Sequence, residues 1–321
     1  MARQATRCEH AWVSRRSWIA FAVCSVLWGV PYFLIKIAVE DHSPAFVAWS
    51  RVALGAAVLL PIAWKVGAFR GMRGRWRIVL VFAVIEITIP FTLIPVGEQY
   101  ISSSMAAILI AAVPLTIALM TMRFNPSEAV RGLRFAGLLV GLAGVILLVG
   151  IEVAGQPREL LGAACMLVAT VGYAAGPMLI RMKMSDLHPM GPVAAALGIA
   201  ALLLTPAGII TMPSSVPDGD VVASLAVLGV ACTAVALAVM FWLVAEAGPS
   251  KASIVTYVNP VIAVALGIAF LDESLGAASV AGLLLILAGS WFATGGKPPG
   301  GLARLLAFRA RADRLPRPSS S

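Results

Sequence analysis

Charged side chains are scarce in this sequence: Asp, Glu, Lys and Arg make up 12% of its 321 residues, against about 25% in soluble domains. With 60% of the chain hydrophobic, one water-soluble core cannot hide the apolar surface, which excludes a soluble globular domain. Histidine is scarcer still. His10, His42 and His188 are scattered through tail and loops, and none pairs with another on a helix face to hold a metal. The four cysteines, Cys8, Cys24, Cys165 and Cys232, have no paired spacing, so neither a disulfide framework nor a zinc site is expected. No G-x-x-x-x-G-K-[ST] is present, which excludes nucleotide hydrolysis by a P-loop within this polypeptide. No serine inside an apolar run stands beside a base in a recognisable arrangement, so the chain is not expected to be an enzyme, and no catalytic residue or cofactor is assigned.

What the chain has in abundance is long apolar runs. Ten can be marked, near 18–39, 46–66, 77–97, 104–122, 132–150, 161–181, 190–211, 221–244, 253–271 and 276–294, each near the length a helix needs to cross about 30 Å of hydrocarbon. They are apolar on all faces and do not alternate, which argues against a membrane barrel. With the N-terminus inside, all of the 24 lysines and arginines fall on the inner side except Arg158, in an outer loop, and Lys36 and Arg51, inside apolar runs near their outer ends. Both termini are therefore expected in the cytoplasm, with the chain in the plasma or inner membrane. The net charge of +9 then follows from topology and attraction to anionic inner-leaflet lipid, and no nucleic-acid partner is needed to explain it. The basic start followed by Trp18 to Val39 is expected to stay as a first helix. Its apolar run is too long for a signal peptide, contains Lys36 and lacks a clear cleavage site.

The chain is also written twice. AAILIAAVPLTIALMTMRFNPSEAVRGLRFAGLLVGLAG, from Ala106 to Gly144, is answered by ASIVTYVNPVIAVALGIAFLDESLGAASVAGLLLILAG, from Ala252 to Gly289. Each copy is an apolar run broken by one proline (Pro114, Pro260), a polar elbow with a glutamate (Glu128, Glu273), and a second apolar run built on GLL-x-x-LAG. Glu128 and Glu273 stand 145 residues apart, as do Lys36 and Arg181, Pro44 and Pro189, and Pro61 and Pro206. Five spans per half is an odd number, so the second half must enter the membrane from the opposite side. The expected fold class is all-α integral membrane, with ten transmembrane helices as two inverted five-helix repeats, at 18–150 and 161–294, between a tail at 1–17 and a basic tail at 295–321.

Candidate functional residues are the polar ones that the runs tolerate. Trp28, Tyr32 and Lys36 share one stripe of the first run, and Pro31 should kink it. For Lys36 the simplest reading is snorkelling to the outer surface; for Arg51 it is pairing with Glu40, Asp41 and His42 in the neighbouring outer loop. Glu86 lies in the middle of FAVIEITIPF, too deep to snorkel, and an acid there costs about 2–3 kcal/mol on insertion scales unless protonated, paired or facing water. Pro90 frees the Glu86 carbonyl as well. Two readings stand, a pathway acid that couples transport to protons and a protonated acid bonded between helices. Glu128, in Asn125-Pro126-Ser127-Glu128, reads as a capping box. Tyr173 lies four residues before Pro177. Tyr257 and Asn259 lie just before Pro260 and are read as cavity lining. Trp242 reads as an interfacial anchor, and Gly137, Gly141, Gly144 and Gly289 as close-packing faces. Together Trp28, Tyr32, Glu86, Tyr173, Tyr257 and Asn259 form the expected substrate pathway. The five aromatic and amide residues should border one cavity, and the expected helix breaks lie at Pro31, Pro90, Pro114, Pro177 and Pro260.

The duplication, Trp28-Gly29 followed by Lys36, Pro44 and Arg51, the S-S-S-M-A-A start of the fourth span and the proline-then-glutamate elbows together resemble the EamA family of the drug/metabolite transporter superfamily. The resemblance covers about residues 18–295. It implies a permease, commonly an exporter of amino acids, related metabolites or toxic compounds, with a small-molecule substrate and the lipid bilayer as partners and a monomer or weak homodimer as its state. The second half departs from the first: Ala196 stands at the place of Arg51 and Tyr173 at that of Trp28, so any role of those positions is asymmetric. The alternative is a non-transporting sensor or a lipid-modifying enzyme on the same scaffold. A polar lining contributed by both halves would favour the transporter.

The charge asymmetry makes the topology testable by external cysteine labelling in a cysteine-free background. Pro217→Cys should label from outside and Arg73→Cys should not; the reverse pattern would overturn the orientation.

Overall fold

The computed structural model describes residues 14–124, 131–152, 155–248 and 252–296. The Asn125–Glu128 capping box, Lys251 and the tail from 297 onward lie outside the described residues. Among those described, the chain forms ten membrane-length or near-membrane-length helices: α1 (Arg15–Asp41), α2 (Pro44–Lys65), α3 (Trp76–Glu98), α4 (Ser103–Phe124), α5 (Leu133–Glu152), α6 (Pro157–Lys183), α7 (Met190–Ile210), α8 (Gly219–Ala247), α9 (Val255–Phe270) and α10 (Ala277–Ala293). The first eight are long and apolar enough to cross a membrane. The last two, at 16 and 17 residues, are shorter than the runs at 253–271 and 276–294. The chain leaves the helix through a turn at Ser253–Ile254 and through Asp272, whose φ of 52° is left-handed.

Local sequence explains the starts. Ser14 accepts the Ser17 amide at 3.1 Å before α1, Ser43 accepts the Ala45 amide at 3.3 Å with Pro44 opening α2, and Ser102 accepts the Met105 amide at 3.1 Å before α4. These hydroxyls satisfy amides that the first turn of a helix leaves without partners. Of the five expected break sites, Pro114 and Pro90 coincide with departures from the α-helix. In α4 the helix stops at Ile110 and resumes at Val113, one residue before Pro114. In α3 the turns widen to a π register over Ala83–Thr88, just before Pro90. Helices α1, α6 and α9 run on through Pro31, Pro177 and Pro260; a proline removes one hydrogen bond, which neighbouring helices can replace.

A second π segment, Val227–Val235, interrupts α8. In each, a threonine hydroxyl donates to the carbonyl five residues back, Thr88 to Ala83 at 3.0 Å and Thr233 to Leu228 at 2.8 Å. Donor and acceptor both recur at the 145-residue spacing. The packing partners follow a related pattern. Helices α1 and α9 pack together, as do α6 and α4; α3 meets α6 as α8 meets α1; α2 meets α8 as α7 meets α3. The pairs α2–α7, α4–α9 and α5–α10 complete the bundle.

The tightest of these contacts, α5 on α10, is made by glycine against glycine. A Cβ on Gly137 would lie 3.0 Å from the Gly289 carbonyl oxygen, one on Gly144 would lie 3.0 Å from that of Gly282, and one on Gly289 would collide with the backbone of Gly141. In hydrocarbon, where apolar burial between helices gains little, this closeness is the source of attraction. Gly289→Val should therefore destabilise the bundle by about 1–3 kcal/mol through overpacking, read as a lower thermal midpoint in detergent. Gly150→Ala, whose Cβ meets nothing within 4 Å, should be neutral or stabilising by about 0.5–1 kcal/mol from helix propensity.

Candidate functional site

The polar residues of the interior converge where α2, α3, α6 and α8 meet. Arg51, 7% exposed, projects from α2 at a close crossing with α8. On α8, Gly229 leaves room for the Arg51 carbonyl, and Gly55 on α2 leaves room for the Thr233 side chain. Arg51 Nε donates to Thr233 Oγ1 at 3.1 Å, and the guanidinium carbon lies 4.2 Å from the centroid of the Phe91 ring on α3. Such a cation on a ring face contributes most where water is excluded. Phe91 in turn meets Tyr173 of α6 edge to face, with centroids 6.5 Å apart. The expected pairing of Arg51 with Glu40, Asp41 and His42 is thus replaced by contacts inside the bundle. The glycine crossing brings an oxygen and a ring to the guanidinium.

Glu86 sits in the π segment of α3, against Gly176 of α6. A Cβ on Gly176 would collide with its carboxyl group, and one on Gly172, a turn earlier, would collide with the Ile85 carbonyl oxygen and lie 2.8 Å from Pro90. The α3–α6 approach is therefore built around Glu86 by two glycines. Its Oε2 is buried without a hydrogen-bond partner. Tyr173 lies within electrostatic reach of Glu86 and Arg51, and Tyr32 of α1 within reach of Tyr173, Arg51 and Glu98. Two of the expected pathway residues, Tyr32 and Tyr173, therefore lie near Arg51, and a third, Glu86, lies near Tyr173.

The other three lie along α1, α9 and α10. Trp28 packs beside the buried cluster of Ala20, Cys24, Leu243, Ala252 and Val255. The Asn259 amide, oriented to satisfy its surroundings, donates to the carbonyls of Val255 at 2.8 Å and Ser25 at 3.2 Å. Tyr257 shares a 3.0 Å hydrogen bond with the Thr294 hydroxyl and packs edge-on against Trp291. Trp242 faces a crevice of about 480 Å³ between α1, α2 and α8, lined by Ile19, Val23, Ile62 and Val235, with Arg16 at its edge.

Two residues depart from their sequence reading. Lys36 does not snorkel: its Nζ donates to the carbonyls of Glu98 at 2.7 Å and Ile101 at 3.1 Å, capping the C-terminal end of α3. A cation at a helix C-terminus satisfies carbonyls that have no helical partner. Glu98 is fully buried, 0% exposed, and neither carboxyl oxygen has a hydrogen-bond partner. With the third run placed at 77–97, it stands one residue into a loop; the GEQY sequence at a span end was the available signal. On the far side of the α4 N-terminus, Glu273 accepts the amides of Ser103 at 2.7 Å and Ser104 at 3.0 Å, and the Ser104 hydroxyl. Glu152, at the end of α5, does the same for Ser279 of α10, accepting its amide at 3.2 Å and its hydroxyl at 2.9 Å.

The polar interior of the bundle thus draws on both halves of the chain. A model described as "EamA-like transporter family" matches residues 16–150 and again residues 160–295. The chain belongs to the EamA-like transporter family. It is 26% identical over 275 residues to "Uncharacterized transporter YvbV" of Bacillus subtilis, covering 85% of this chain and 89% of the relative. It is 28% identical over 269 residues to "Uncharacterized inner membrane transporter YedA" of Escherichia coli K12, covering 78% and 81%. A solved crystal structure superposes with a TM-score of 0.63 at 20% identity, over 87% of this chain and 96% of that one, and supports the fold alone. This EamA-family chain is therefore an integral membrane protein of a transporter family.

Within the site, Thr233 both braces its π segment and holds Arg51. Thr233→Val should cost about 1–3 kcal/mol, because it leaves a buried charged donor without its acceptor. Thr88→Val, which loses only its own bond to the Ala83 carbonyl, should cost about 0.5–1.5 kcal/mol. Thermal unfolding of the two variants side by side measures the difference.

Proposed function

We propose that this protein is a secondary transporter that moves small metabolites, such as amino acids or related compounds, by alternating access, and that it works as an exporter. The observation that carries this reading is the polar interior that runs from Arg51 through Tyr173 to Glu86, to which both halves contribute: Tyr32, Arg51, Glu86 and Phe91 come from the first, Tyr173 and Thr233 from the second. A sensor or an enzyme on this scaffold has no need of such a lining at the meeting of the halves.

The halves, 18–150 and 161–294, are proposed to be related by a half-turn about an axis in the membrane plane, with both termini cytoplasmic. This is supported by the two separate family matches, by the packing pairs that exchange when each helix of the first half is swapped for its counterpart, and by the paired threonine bonds at Thr88 and Thr233. Rocking of one half against the other would then expose the Arg51 region to each side in turn. The protein acts as a monomer or weak homodimer in the plasma or inner membrane, without cofactor or nucleic acid.

Glu86 is the proposed proton-coupling acid. It lies at mid-span, its Oε2 lacks a partner, and a carboxyl in hydrocarbon is tolerated when it is neutral or reaches water. An efflux screen of cells loaded with amino acids and related metabolites, with and without the chain, identifies the substrate. In proteoliposomes with an imposed pH gradient, Glu86→Gln should retain folding and downhill flux but lose gradient-driven accumulation and the pH dependence of flux. Accumulation equal to wild type at matched protein level would leave Glu86 a packing residue.

A further inference from the structure

Glu98 is the most deeply buried acid among the described residues, and nothing in the pathway around Arg51 uses it. Its carboxyl group has no hydrogen-bond partner on either oxygen. Burying a charge without a partner costs several kcal/mol, so this arrangement suits the neutral acid. A cation is nevertheless at hand. Lys36 Nζ lies 2.7 Å from the backbone carbonyl oxygen of the same residue and 3.1 Å from that of Ile101. The charged and titratable groups facing Glu98 are Tyr32 and Lys36 from α1, Arg51 from α2 and Glu273 from the α9–α10 elbow. From α6, Gly162, Cys165 and Met166 pack against the adjoining Gly97, and α4 offers Ser103, whose hydroxyl is buried and also without a partner.

We infer that Glu98 is a second proton-binding site, distinct from Glu86, and that its proton governs the tie between α1 and the α3–α4 turn. With the proton on, Lys36 caps the Glu98 and Ile101 carbonyls, as seen here. When the O–H bond of Glu98 breaks and the proton leaves to water, the carboxylate draws the still-protonated Lys36 ammonium across the same residue. Lys36 gives up the Ile101 carbonyl, and the turn leading into α4 loses its anchor on α1. Glu273, already engaged with the Ser103 and Ser104 amides on the other side of that turn, repels the new carboxylate and favours the opening. The switch builds on the transporter reading for its purpose, but its proton and its movement are measurable without a substrate.

Infrared difference spectra between acid and alkaline pH, recorded on the purified chain in nanodiscs, test the proton site. One carboxylic C=O band should be present in wild type and in Glu86→Gln and lost in Glu98→Gln, apart from any band that Glu86 itself contributes; Glu98→Asp, which keeps an acid, should retain a shifted band if the Gln variant does not fold. Reaction of Ile101→Cys with a hydrophilic maleimide, in a chain lacking Cys8, Cys24, Cys165 and Cys232 and normalised to the exposed position in Gln99→Cys, tests the movement. Reactivity should rise about tenfold from acid to alkaline pH, as when a state populated at a few per cent becomes the major one. The rise should vanish in Glu98→Gln and Lys36→Met and survive in Lys36→Arg. A wild-type difference spectrum that Glu98→Gln leaves unchanged, or a reactivity profile that this substitution leaves intact, overturns the inference. A chain that moves no substrate yet shows both signals retains the proton site and counts only against the transport reading.

Discussion

Hydrocarbon offers no hydrogen-bond partner, so every place where this bundle departs from a regular helix has to be satisfied from within the protein. The departures are many, and each has its own answer. The π segments of α3 and α8 are closed by threonine hydroxyls that reach back five residues. The C-terminal carbonyls of α3 are capped by Lys36 of α1. The amides that open α4 and the first turn of α10 are met by the carboxyl groups of Glu273, in the α9–α10 elbow, and Glu152, at the end of α5. Apart from the threonine bonds, these join elements far apart in the chain. The same constraint that forces satisfaction thereby ties the helix ends together.

Glycine supplies the second half of the arrangement. Where α5 crosses α10, α2 crosses α8 and α3 crosses α6, a missing Cβ lets a neighbouring backbone or side chain occupy the space. At α5–α10 the result is packing alone. At the other two crossings the space is filled by residues of the candidate site: Thr233 against Gly55, and the Glu86 carboxyl against Gly176. Close approach and polar interior are thus one feature of the design, because the polar groups reach each other only through gaps that glycine leaves.

The asymmetry between the halves shapes the site. The second half has Ala196 at the place of Arg51 and Ala231 at the place of Glu86, so neither side chain has a charged counterpart at the 145-residue spacing. The frame supplies matching π segments; the substitutions decide which of them carries charge. An interior of this kind presents different chemistry along its length, with Arg51, Phe91 and Tyr173 at one level and Lys36, Glu98 and Glu273 near the α3–α4 turn.

The sequence by itself determined the environment and the positions of the apolar helices, and it singled out Glu86 as a candidate acid. Sixty per cent hydrophobic residues in runs of membrane length leave no other solvent than lipid, the family resemblance rested on motifs that survive in one dimension, and a carboxyl in the middle of FAVIEITIPF is conspicuous because its cost depends on depth alone. Only the tertiary structure decided partners. Lys36 and Arg51 looked like surface cations because each lies near a span end, yet Arg51 faces α8 at a crossing opened by Gly55 and Gly229 and Lys36 caps the end of α3. Glu98 escaped notice because a shift of one residue at a span boundary separates a loop acid from a buried one. Tyr257 and Asn259 share a face with a proline, but whether that face meets a cavity or the neighbouring helices α1 and α10 is settled by helix rotation, which local periodicity does not encode.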